Sequence, residues 1–204
     1  MYVRPSHRPR NASDVVELMQ QNMFATLVSG SPAGTIASHL PFVYESTPGE
    51  HGTLYAHMAR ANAHGEALAR GEECLVIFTG PHGYISPSWY ADRSTAPTWD
   101  YVAVHCYGRP VIHSVEDARR NIERLLAVVE AGRPDPWSLT DLRAEEVEMM
   151  LTNIVSFEIP LTRVEGKFKL NQGDKPERIR TAIEQLERQG ESLLANYMRR
   201  YNGL

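Results

Sequence analysis

Strand-like segments in this chain are broken by turns and prolines at short intervals, and this restricts its architecture more than any other feature. Phe24 to Ser29 and Thr35 to Glu45 are separated only by Gly30-Ser-Pro-Ala-Gly34, a dense turn signal, so the two read as a hairpin. Pro41 interrupts the second of them at Ser38-His-Leu-Pro-Phe42; a residue without an N–H cannot donate to a ladder, so this point belongs at an edge or a bulge. Thr53 to Ala59 follows the turn Pro48-Gly-Glu-His-Gly52. Cys74 to Thr79 is a continuous apolar run, Tyr101 to His113 alternates, and Ile154 to Leu170 is a long last strand carrying Pro160 and Gly166. Six strands in antiparallel order, with short helices between them, predict an α+β protein on a small closed or partly closed barrel. No Gly-x-Gly-x-x-Gly follows a strand, so a dinucleotide-binding Rossmann unit lacks its fingerprint.

Helices fill the intervals. Ser13 stands where a cap is needed for a helix through Asn22, with Val15, Leu18 and Met19 on one face. Ala63 to Arg70 is a short helix closed by Gly71. Ser114 opens the clearest one, Val115 to Ala131, with Asp117 at the capping-box position and Gly132 past its end. Ala144 to Leu151 is another, and from about residue 174 the chain reads as a helical segment with a break near Gly190. The whole, residues 1–204, is expected to be a single domain.

The stretch from Thr79 to Gly108 concentrates two of the three Trp (Trp89, Trp99) and four of the nine Tyr (Tyr84, Tyr90, Tyr101, Tyr107) on a backbone stiffened by Pro81, Pro87 and Pro97. Read as a loop between two strands, it offers flat surfaces to a planar ligand or a partner subunit, or fills a core. Arg60-Ala-Asn62 lies where a strand meets a helix. It reads either as a pair of donors for an anion or as a helix cap beside a solvated charge. Lys167 and Lys169 alternate onto one strand face.

Several chemistries are excluded. The eight His include no pair at metal-binding spacing, with His39, His57, His82 and His105 far apart, so no metal site is expected. Ser86 and Ser88 have no base beside them and no Gly-x-Ser-x-Gly elbow exists, so no catalytic residue can be named. Cys74 and Cys106 sit in apolar contexts as buried free thiols. A formal charge of -4 and a pI near 6.1 give no support to DNA as a direct partner. No apolar run approaches the roughly eighteen residues of a membrane span, and the first residues lack the apolar core of a signal peptide, so a cytoplasmic protein is expected.

Six segments together carry a resemblance. They are Met1-Tyr-Val-Arg-Pro5, Ser38-His-Leu-Pro-Phe42, His57-Met-Ala-Arg-Ala-Asn62, Gly83-Tyr-Ile-Ser-Pro-Ser-Trp-Tyr90, Pro97-Thr-Trp99 with Tyr101-Val-Ala-Val-His105, and the run from Ile159 to Gln172. Over nearly its full length the chain resembles the PaiB family of FMN-binding negative transcriptional regulators. The resemblance implies a six-stranded antiparallel split β-barrel like that of the pyridoxamine-phosphate oxidases, a homodimer, and FMN at the subunit interface. It implies that Arg60, Asn62, Lys169 and Gln172 lie near the phosphate and ribityl chain, and that Ser38, His39 and Leu40 with Trp89 or Trp99 approach the ring. Two departures stand out: Asn62-Ala-His-Gly65 has Gly where an aromatic is expected, and Trp99-Asp-Tyr101 places a carboxylate near the cavity. The alternative function is a flavin-dependent oxidoreductase, or a haem-binding enzyme on the same barrel.

Overall fold

The computed structural model describes all residues, 1–204. Its elements are α1 (Ala12–Gln21), β1 (Phe24–Ser31), β2 (Gly34–Pro41), β3 (Val43–Glu45), β4 (Thr53–Ala59), α2 (His64–Leu68), β5 (Cys74–Ile85), β6 (Thr98–Gly108), β7 (Val111–Ile112), α3 (Val115–Val129), α4 (Ala144–Thr152), β8 (Ile154–Lys169), α5 (Pro176–Arg188) and α6 (Ser192–Asn202). The strands form one sheet in the order β2-β1-β5-β6-β8-β4-β3, with β7 paired to β8. The pairings β1–β2, β1–β5, β3–β4, β4–β8 and β7–β8 are antiparallel.

The strand count is eight rather than six, and prolines account for the difference. Pro41 ends β2, and the next amide, Phe42 N–H, donates to Met23 O at 2.8 Å before β3 begins. Arg109-Pro110 likewise divides the expected Tyr101–His113 run into β6 and β7. The hairpin is tighter than its five-residue turn signal implied: Ser31 pairs with Gly34, so only Pro32 and Ala33 bridge the strands, and Gly34 turns the chain at φ 114°. Strand β5 runs on to Ile85 and β6 starts at Thr98, so most of the aromatic stretch is ladder rather than loop.

Two compact units divide the chain. The first holds Met1–Leu18, Thr79–Val104 and Glu165–Leu204. Its core centres on Phe168, which stacks on Tyr201 with ring centroids 5.1 Å apart and meets Tyr197 at 6.2 Å. Helix α1 starts at an Asn11 cap rather than at Ser13: the Asn11 side-chain oxygen accepts from Asp14 N–H at 3.0 Å, and the Ser13 hydroxyl donates to that same oxygen. Asn reaches the amide three residues on, the geometry an N-cap needs. Buried Asp14 then accepts from Tyr201 Oη at 2.6 Å and pairs with Arg200. Burial pushes its carboxyl up, but these two donors outweigh it and hold it below the usual range.

The second unit holds Met19–Phe78 and His105–Val164. Phe42 packs edge-on against Phe78 at 6.2 Å and Phe157 at 6.3 Å, all three buried. A second cluster joins Ala118 and Ile122 of α3 to Leu139 and to Val147 and Leu151 of α4. Ser114 caps α3 as the sequence requires, its Oγ accepting from Asp117 N–H at 3.2 Å. Gly108 is obligatory at the β6–β8 contact: a Cβ there would lie 2.3 Å from Pro160 O.

Candidate functional site

In the second unit the end of β2 meets the chain just after β4 through side chains. The Asn62 amide donates to Ser38 Oγ at 3.2 Å, and its oxygen accepts from His64 N–H at 3.0 Å. His64, buried, bridges two hydroxyls, with Nδ1 2.9 Å from Ser38 Oγ and Nε2 2.9 Å from Ser29 Oγ. Burial lowers the His64 pKa, so the ring is neutral at neutral pH. His64 was not among the residues read from the sequence. Its only signal is a His at the start of a short helix, opposite two serines that alternate inward on a hairpin. His39, exposed beside Ser38, stacks on Phe24 at 6.2 Å and has Nδ1 3.1 Å from Thr26 Oγ1, while Leu40 points into the core.

Asn62 accepts from the first amide of α2, as the cap reading has it, whereas Arg60 is not a free surface charge. Arg60 Nε donates to Thr152 O, at the C-terminal end of α4 where carbonyls lack helical partners, at 2.6 Å, and its Nη2 to Ile154 O, in the first residue of β8, at 2.7 Å, so it ties the helix end to the strand start. The guanidinium plane is thereby fixed and Nη1 is left over. Arg60 lines a cleft of about 400 Å³ together with Gly65, Ile112, His113 and Val155. At Gly65 a Cβ would meet Val155 Cγ2 at 3.4 Å, an ordinary van der Waals contact, so the cleft wall there is close-packed without excluding a side chain.

In the first unit Trp99, 51% exposed, stacks on His82 at 6.0 Å, donates its indole N–H to His82 Nδ1 at 3.3 Å and leans on Tyr84 at 6.2 Å. With Trp89 they line a cleft of about 430 Å³. Lys169 Nζ donates to Thr98 Oγ1, and to Trp99 O at 2.7 Å, and stands 3.6 Å from Asp100 Oδ1. Gln172 folds back on its own strand, accepting from Leu170 N–H at 2.7 Å and donating to Phe168 O, which supports the left-handed Asn171 at φ 60°. Thus Ser38 and Asn62 are brought into direct contact within one unit. Lys169 and Gln172 share the other with both tryptophans, and their polar atoms are bonded to protein.

An antiparallel sheet of this order with peripheral helices is a split β-barrel. Among solved structures it is similar to the FAD and haem binding protein from Mycobacterium smegmatis, with a TM-score of 0.64, 16% identity and coverage of 86% of this chain and 80% of that one. It is also similar to the flavocytochrome Anf3 from Azotobacter vinelandii, with a TM-score of 0.64, 13% identity and coverage of 87% and 77%. Residues 1–163 match the model of the family described as "Putative FMN-binding domain", and the chain belongs to that family. Protease synthase and sporulation protein PAI 2 from Bacillus subtilis (strain 168) is 32% identical over 187 residues, covering 92% of this chain and 89% of that protein.

Proposed function

We propose that this chain, acting as a single domain in the cytoplasm, binds FMN and works as a PaiB-type regulator responsive to flavin. We further propose that it does so as a homodimer with the flavin at the subunit interface. The observation that carries the cofactor is Arg60. A guanidinium pinned by two carbonyls loses little freedom on meeting an anion, and Arg60 lines an open cleft with its Nη1 unbonded, an arrangement suited to the terminal phosphate of FMN. Asn62 and Ser38, already oriented by His64, supply polar contacts for the ribityl chain, and the Ser38–Leu40 backbone supplies them for the ring edge. Trp99, with half-buried Trp89 in the same cleft of the first unit, presents the kind of aromatic surface on which an isoalloxazine stacks. Lys169 supports that surface by holding the Trp99 carbonyl, and Gln172 braces the end of the strand that carries Lys169.

Exposed apolar side chains favour the dimer: Phe24 is 70% exposed beside the sheet-end strand β2, and Tyr84 is 46% exposed beside Trp99. The net charge of -4 favours regulation through a protein partner over direct DNA reading. No helix is long and apolar enough to cross a membrane. Titration of the purified protein with FMN, followed by quenching of flavin fluorescence, tests the cofactor. Saturable binding with a flavin absorption band is expected, and no binding would overturn the reading. Sustained oxidation of a reductant by the loaded protein would move it to the oxidoreductases instead.

A further inference from the structure

The first unit contains a second cleft, of about 200 Å³, lined by Lys169 and Gln172 together with side chains that have no part in the proposed flavin site. Two buried side chains line it without hydrogen-bond partners. Asp100 has no exposed surface, and neither of its carboxylate oxygens is bonded; His7, 8% exposed, has an unbonded Nδ1. They come from β6 and from the N-terminal 3-10 turn Pro5–His7, distant in sequence, so one local distortion does not explain both. Buried acceptors left unpaired are costly in a folded chain, and such groups persist where a ligand or ordered water completes them. Around them the cleft is balanced in charge. Lys169 stands 3.6 Å from Asp100 Oδ1, exposed Arg4 lines the cleft, and Asp174 adds a second carboxylate.

We propose that this cleft binds a small zwitterion of the α-amino-acid class, with its ammonium group on Asp100 and His7 and its carboxylate on Arg4. An ammonium brings three N–H donors to acceptors that lack them. Neutral His7 can take one at Nδ1, because burial and the nearby charges of Lys167, Lys169 and Arg4 keep the ring unprotonated. The acid half answers the one cation in the cleft not held by protein: Lys169 is bonded to Thr98 and Trp99, whereas Arg4 is exposed. The cleft is smaller than a drug-sized pocket, which starts near roughly 300 Å³, and this suits a molecule of a few heavy atoms. A purely anionic ligand would leave Asp100 worse placed than before, and a purely cationic one would meet Lys169 and Arg4 unanswered.

The test uses the full chain and the twenty α-amino acids, each in a calorimetric titration at millimolar concentration, with methylamine and acetate as half-ligands. At least one amino acid is expected to bind saturably, while neither half-ligand does. Asp100→Asn is expected to weaken that amino acid roughly ten- to a hundredfold through loss of a charge-assisted contact, and Arg4→Ala to weaken it by a similar factor without unfolding the chain, since Arg4 is exposed. Unfolding curves verify that each variant is folded. Binding of none of the twenty to the wild type overturns the site and leaves water on Asp100. Methylamine binding as tightly as the amino acid, or an unchanged affinity in Arg4→Ala, overturns the zwitterion.

Discussion

Lys169 Nζ stands 3.6 Å from Asp100 Oδ1, close enough for attraction and too far for a hydrogen bond, so the buried carboxylate has a counter-charge but no donor. The imbalance appears in its protonation. Burial pushes the Asp100 pKa up from 3.8 to about 6, and Lys169 only partly opposes this.

Asp100 should therefore make the protein less stable as pH rises. Below 3.8 the carboxyl is protonated in both folded and unfolded chains; between 3.8 and about 6 the unfolded chain ionises while the folded one resists. The cost grows across that window to about 2–3 kcal/mol and is constant above it. Asp100→Asn, which cannot ionise, is expected to be more stable than the wild type by about that amount at pH 7 and by little at pH 4. Urea midpoints for both proteins across this range check it, and a parallel pH dependence for the two would refute it.

Gly108→Ala tests the crossing of β6 and β8. Its Cβ would fall 2.3 Å from Pro160 O and 2.7 Å from Ile159 Cγ2, and the obstacle is backbone, so a strand must shift. A loss of about 3 kcal/mol or more is expected in the denaturant midpoint. Gly34→Ala, where nothing lies within 4 Å but φ is 114°, should cost less, about 1 kcal/mol, through backbone strain alone.

Arg60→Ala is expected to act twice. Losing its two carbonyl contacts at the junction of α4 and β8 should destabilise the chain by about 1 kcal/mol, since the side chain is exposed. It should also weaken FMN roughly ten- to a hundredfold. Arg60→Lys cannot make the same two-pronged bond and should recover little of either. Thermal unfolding with and without FMN separates the two effects.

A homodimer at micromolar concentration is expected by sedimentation velocity, and Phe24→Asp, which puts charge on exposed apolar surface, is expected to weaken it. A wild-type monomer at every concentration would remove the interface from the account.

Much of this architecture was legible in the chain. Thr53–Ala59 is a strand with the bounds its composition implied, and Ser114 caps α3 as its spacing required. What escaped were features set by contacts rather than local pattern. Thr79-Gly-Pro-His-Gly83 has turn composition, yet it is strand because pairing with neighbours outweighs its weak β-propensity, and Gly83 lets Leu194 approach to 2.9 Å of where a Cβ would sit. Asn11 displaced Ser13 as the cap because either residue suits the role and only geometry chooses. The Asp100 carboxylate was expected near a cavity, but its isolation depends on which donors Lys169 spends elsewhere, and no sequence pattern records that.

The central claim is that a phosphate-bearing flavin is held through Arg60. Calorimetric titration of FMN and of riboflavin, which lacks the phosphate, against the wild type and Arg60→Ala tests it as a cycle, since a contact made to phosphate cannot penalise a ligand without one. The account predicts that riboflavin binds the wild type roughly ten- to a hundredfold more weakly than FMN and is nearly indifferent to the substitution. Equal affinity of the two flavins for the wild type would contradict it.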